Sequence, residues 1–149
     1  MKAMASHIQV IESAAAMQQF GRELAASLNV GDVVLLHGDL GAGKTTFTQG
    51  VAEGLGVDGP VQSPTFTLVR EHDACGLRLY HLDLYRLDDP EQLEDIGYEV
   101  FINPPDGVSL IEWPERAGDW LPERFTLIQI QHLGGDRREV RITAHGEDE

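Results

Sequence analysis

Gly38, Gly43, Lys44 and Thr45 stand in the order G-x-x-x-x-G-K-T inside the stretch Leu35-Leu36-His37-Gly38-Asp39-Leu40-Gly41-Ala42-Gly43-Lys44-Thr45-Thr46. Each residue type has a mechanical use toward an anion. Gly38, Gly41 and Gly43 allow positive φ and a close backbone approach, so that the N–H groups of Asp39, Leu40, Gly41 and Ala42 can turn inward on phosphate oxygens. A helix starting at Lys44 or Thr45 brings its first-turn N–H groups and positive dipole end to the same place. Lys44 then reaches the β- and γ-phosphates, and the Thr45 hydroxyl can ligate Mg²⁺. The chain has only one other lysine, Lys2. Binding of a nucleoside triphosphate is the expectation.

Hydrolysis or transfer requires more: an acid that orients the metal, and a group that positions the attacking oxygen. Glu112 ends the apolar run Val108-Ser109-Leu110-Ile111, where a metal-orienting carboxylate sits at the carboxyl edge of a sheet. Asp83 lies in Tyr80-His81-Leu82-Asp83-Leu84-Tyr85-Arg86, and strand alternation puts it on one side with His81 and Tyr85. A structural network of Asp83 with Arg86 or His81 is the competing reading, and for Glu112 it is a solvated strand cap, against which the glycine loop weighs. Arg86 reads as a charge-stabilising finger or an ion-pair partner. The six histidines show no zinc-type spacing. Trp113 reads as a stacking surface for a base or a partner, or as a half-buried core residue.

Strand, glycine loop and helix must occur in that order for the motif to work, and the pattern supplies them. Residues 33–36 form the continuous apolar run of a buried parallel strand, and Phe47, Val51 and Leu55 carry helical spacing after the loop. Upstream, residues 7–11 read as a short strand. Ser13 is an N-cap for a helix through about Leu28, with Met17, Phe20, Leu24, Ala25 and Leu28 on its core face. Downstream, glycines and Pro60 mark a loop, then a strand from about Thr67 pairs with residues 77–84 as a hairpin inserted between two α/β units. Asp89-Pro90-Glu91 starts a helix that ends near Gly97. Residues 103–107 form a loop, residues 108–112 a strand, and residues 114–120 a short helix. Residues 125–131 and 139–143 form a hairpin around Gly134-Gly135-Asp136. The expected fold is an α/β P-loop NTPase sandwich with a parallel core sheet and antiparallel hairpin additions, one domain over residues 1–145 with a frayed charged tail at 146–149.

Composition narrows the role. At 149 residues with 42% hydrophobic content, one domain with a full core fits. A formal net charge of −14 argues against direct binding of nucleic acid or an anionic membrane. The lone Cys75 and the lack of a signal-type or membrane-spanning apolar run point to a cytoplasmic protein.

Taken together, residues 37–46, Ser63-Pro64-Thr65-Phe66, His81-Leu82-Asp83-Leu84-Tyr85-Arg86 and Ile111-Glu112-Trp113-Pro114 resemble the TsaE family, in order and over the whole chain. The resemblance implies an ATPase of the bacterial machinery that makes threonylcarbamoyladenosine (t6A) in tRNA. It further implies ATP and Mg²⁺ as cofactors and the TsaD–TsaB heterodimer as partner, with tRNA held only through the partners. It assigns the phosphates to residues 38–46, among them Thr46, the metal to Thr45 and Glu112, and catalysis to Lys44, Asp83 and Glu112. It makes residues 63–67 a switch-like segment and puts the adenine near Ser13 and Arg138. A small-molecule kinase using Asp83 as base is the alternative, against which stands the lack of a long basic lid segment. A GTPase lacks its N-K-x-D motif here.

Overall fold

The computed structural model describes residues 6–38, 43–57, 69–74, 76–85, 87, 89, 91, 93, 97–117 and 122–145. Seven strands form one sheet: β1 (Ser6–Ile11), β2 (Val33–Gly38), β3 (Val69–Ala74), β4 (Leu77–Asp83), β5 (Gly107–Glu112), β6 (Phe125–Gly134) and β7 (Arg137–His145). Their order across the sheet is β1-β7-β6-β2-β5-β4-β3. The inner strands β4, β5, β2 and β6 run parallel. Antiparallel strands close both flanks, β3 on β4 and β7 with β1 on β6.

Both expected hairpins form, but each gives one of its strands to the parallel core. β4 pairs with β5 and β6 with β2, so neither hairpin is an appendage. The physical reason is visible in β4, where the four consecutive residues Leu79, Tyr80, His81 and Leu82 are buried, as a strand covered on both faces requires.

Helices α1 (Ala14–Ala25) and α2 (Lys44–Leu55) cover one face. Met17, Phe20 and Ala25 of α1 and Phe47, Val51 and Ala52 of α2 pack there on Val34, Leu36, Leu79, Val108, Leu110, Ile128 and Ile130. The α1 helix ends three residues before the expected Leu28, because the Ser27 and Leu28 N–H groups bond back to Leu24 and Ala25 in a tightened final turn. The α1–α2 seam is set by glycine. A Cβ on Gly50 would overlap the Gln18 carbonyl oxygen, and one on Gly54 would lie 2.6 Å from the Ala25 Cβ, so side-chain-free positions bring the two backbones together.

The second face is covered by Leu84, Leu87, Leu93, Tyr98, Phe101 and Ala117, packed on Val33, Leu35, Tyr80, Leu82 and Ile111. Here a four-residue helix, α3 (Glu99–Ile102), precedes the expected loop, and the Tyr80 hydroxyl donates to Asp106 Oδ1 across 2.6 Å, tying that loop to β4. Most of the helix expected after Asp89 lies outside the described residues; the Glu91 N–H bonds the Asp89 carboxylate, and Gly97 has φ +71° at the expected stop. A 3₁₀ turn, Pro114–Ala117, follows β5. The segment 61–68, Cys75 and the tail 146–149 also lie outside the described residues. Among the described residues no helix is long and apolar enough to cross a membrane.

Candidate nucleotide and metal site

Three parallel strands deliver their carboxyl ends to one place. β2 ends at Gly38, β4 at Asp83 and β5 at Glu112, and in register Glu112 lies beside Leu36 on one side and Asp83 on the other. Asp39, Leu40, Gly41 and Ala42 lie outside the described residues. The motif resumes at Gly43, whose φ of +110° is left-handed backbone that glycine adopts without strain; it caps α2 directly. Lys44 is the first residue of α2 and buried, Thr45 is exposed, and Thr46 is half-buried. Helix geometry points the first-turn N–H groups of these residues out of the N-terminus.

The Lys44 ammonium sits 3.7 Å from the centre of the Trp113 ring, a cation–π contact that shields it from water. Trp113 itself holds φ +58°, a conformation that costs a bulky residue energy, and its ring meets Tyr85 at 4.9 Å. Of the two roles open to Trp113 in the sequence, the half-buried position is observed, with the lysine as its neighbour.

Asp83 is half-buried, and its Oδ1 accepts from the Tyr85 N–H at 3.0 Å. Burial pushes its carboxyl above the usual value; the Tyr85 hydrogen bond opposes this, Glu112 adds to it, and His81 and Lys44 pull against it. Glu112 is buried, and its Oε2 lies 2.6 Å from His81 Nε2. His81 therefore pairs with Glu112, which removes it as the holder of Asp83. Arg86 lies outside the described residues.

Ser13 and Arg138 lie close to Gly43. With Ala14, Met17, Gly43, Thr46 and Asp136 they line a concavity of about 70 Å³. The Ser13 hydroxyl accepts from the Ala16 N–H as the cap of α1, and the Arg138 guanidinium donates to the Gly135 carbonyl. The sequence offered His81 only as a structural partner of Asp83 and gave its pairing with Glu112 no signal. The alternation in β4 placed His81 and Asp83 on one face; the missing piece was that β5 is the in-sheet neighbour of β4 and carries Glu112 on that same face.

A family model described as threonylcarbamoyl adenosine biosynthesis protein TsaE matches residues 11–140. The chain belongs to the TsaE family. Among TsaE relatives, the tRNA threonylcarbamoyladenosine biosynthesis protein TsaE of Bacillus subtilis is 47% identical over 122 residues, covering 82% of this chain and 75% of the relative. The protein of the same name from Haemophilus influenzae is 42% identical over 146 residues, 95% of this chain and 91% of the relative. The crystal structure of Bacillus subtilis YdiB superposes with a TM-score of 0.76 at 34% identity, over 98% of this chain and 90% of that one. The TsaE match includes the glycine loop, both carboxylates and Arg138 within its bounds.

Proposed function

We propose that this chain is a Mg²⁺-dependent P-loop ATPase that serves t6A modification of tRNA by hydrolysing ATP in complex with TsaD–TsaB. One arrangement carries the reading: the buried Lys44 at the start of α2 shares an electrostatic environment with Asp83 and Glu112 at adjacent strand ends. The available donors suit the cation. Thr45 offers a hydroxyl and Glu112 a carboxylate, both hard oxygen ligands, and among the described residues no cluster of three or more His, Cys, Asp or Glu forms a closed metal cage. A sparse oxygen set is what Mg²⁺ takes when phosphates and waters complete its shell.

When bound, Mg²⁺–ATP supplies the γ-phosphoryl group and a cation that neutralises its oxygens. The residues of the chain do the rest by position and charge. Lys44 adds a fixed positive charge, made effective by its low-dielectric burial beside Trp113. Asp83, its Oδ1 fixed by the Tyr85 N–H, orients the attacking water. Ser13 and Arg138 border the space for the adenosine. The net charge of −14 agrees with a partner, rather than this chain, holding the tRNA.

Steady-state phosphate release with and without TsaD–TsaB tests the proposal. The expected stimulation is at least about tenfold, roughly 1.4 kcal/mol of barrier. It requires ATP and Mg²⁺ and disappears in Lys44→Ala. Equal rates with a demonstrably bound heterodimer remove partner activation, and unchanged ATP binding and hydrolysis in folded Lys44→Ala remove the P-loop assignment.

A further inference from the structure

His81 stands out among the buried polar groups. It is 1% exposed in the middle of β4, on the face it shares with Leu79 and near Leu110 of β5. Its Nε2 lies 2.6 Å from Glu112 Oε2, while its Nδ1 is buried and makes no hydrogen bond among the described residues. An apolar side chain would fill that position without leaving a ring nitrogen unsatisfied, so packing alone gives no reason for a histidine. Among the described residues, the ring's one polar contact is to the carboxylate read above as a metal ligand.

We propose that His81 is a positioning residue for Glu112. A carboxylate on a strand end can rotate and offer either oxygen. A short, buried, charge-assisted hydrogen bond commits Oε2 to the protein and leaves Oε1 for the cation, with its orientation fixed before the cation arrives. The Nε2 atom donates whether the ring is neutral with its proton there or doubly protonated, so the device needs no change of protonation state. The same bond crosses from β4 to β5 and so holds Asp83, two residues along from His81, at a fixed distance from Glu112. The inference rests on the metal-facing reading of Glu112, and the test separates the two.

Mn²⁺ affinity is measured by electron paramagnetic resonance in the presence of a non-hydrolysable ATP analogue, beside metal-free nucleotide affinity and thermal stability. His81→Ala is expected to weaken Mn²⁺ binding about 10–100-fold, the usual range for loss of such a supporting group. Metal-free nucleotide affinity is expected to stay near the wild-type value. His81→Gln, whose amide nitrogen falls near the Nε2 position, restores Mn²⁺ affinity, whereas His81→Asn, whose amide nitrogen falls near Nδ1, does not. Wild-type Mn²⁺ affinity in folded His81→Ala overturns the proposal. So does a Gln variant as defective as the Ala variant, or an Asn variant that rescues equally well. Glu112→Gln is the control: if it leaves Mn²⁺ affinity unchanged, the metal reading of Glu112 fails and takes the His81 proposal with it, while a loss there with intact binding in His81→Ala refutes only the role of His81.

Discussion

Gly50→Ala is expected to destabilise the fold although alanine is the better helix former. In an exposed helix the substitution would gain about 1 kcal/mol. Here the added Cβ overlaps the Gln18 carbonyl oxygen and lies 2.9 Å from the carbonyl carbon, where ordinary contact is 3.4–4 Å. The obstacle is backbone of α1 and cannot rotate away, so the helices must separate by roughly 1 Å along a seam that is packed like a crystal. Overpacking of this kind costs about 1–3 kcal/mol, and loss of the close approach of Phe47 and Val51 to α1 puts the cost at the upper end. Net destabilisation of about 1–2 kcal/mol follows, which for a chain of this size lowers Tm by roughly 2–8 °C. Thermal unfolding followed by far-UV circular dichroism, with urea midpoints as a second measure, reads it directly. An unchanged or raised Tm refutes the reasoning, because it means that the seam is slack enough to take a methyl group. Since Ser13 and Gly43 begin the two helices and share one concavity, a weaker affinity for ATP is expected in the same variant.

Thr45→Ala is expected to lower nucleotide affinity in Mg²⁺ more than in its absence; calorimetric titrations in Mg²⁺ and in EDTA check this, and equal losses contradict the ligand role. Asp83→Asn is expected to bind ATP nearly normally and hydrolyse it slowly, and also to be the more stable protein at pH 7. Burial raises the Asp83 pKa in the folded state, so the stability tied to its proton is complete below the ordinary carboxylate value and lost as pH rises through the raised one. Asn removes that loss and keeps an acceptor for the Tyr85 N–H, so the Tm gap over wild type should close as pH falls toward about 4. A Tm below wild type at pH 7, with binding and turnover falling together, makes Asp83 structural.

Local signals in the sequence located most elements, since each needs only neighbouring residues. Ser13 as a cap, the buried run of β2, the start of α2 at Lys44 and the turn around Gly134 and Gly135 are of this kind. Lateral order across the sheet is a different matter. A hairpin pattern names one neighbour of a strand and leaves the other side open, so nothing local said that β4 would meet β5, or β6 meet β2. The same gap hid the pairing of β1 with β7, whose partners Ser6 and Thr143 come from opposite ends of the chain. In the site, Lys44 was a candidate from its motif and Asp83 and Glu112 from their strand-end positions, and the structure sets those two carboxylates side by side. The contact of His81 with Glu112 had no such signal, because it depends on a partner 31 residues away on the adjoining strand. The Trp113 contact with Lys44 was equally out of reach, since it depends on a positive φ that bulky residues rarely adopt.

The covered ammonium of Lys44 gives the chain a built-in chemical clock. Acylating reagents need an amine in contact with water, and Nζ of Lys44 is buried beneath the Trp113 ring. With Lys2 as the only other lysine, digestion after labelling yields just two lysine-bearing sequences to follow by mass, so acylation of one named atom can be timed without interference. Label arrives at Lys44 only when this buried corner opens, which makes its rate a measure of how often it does so while the remainder stays folded. Trp113→Ala removes the indole from this cover, and labelling of Lys44 should run faster in that variant.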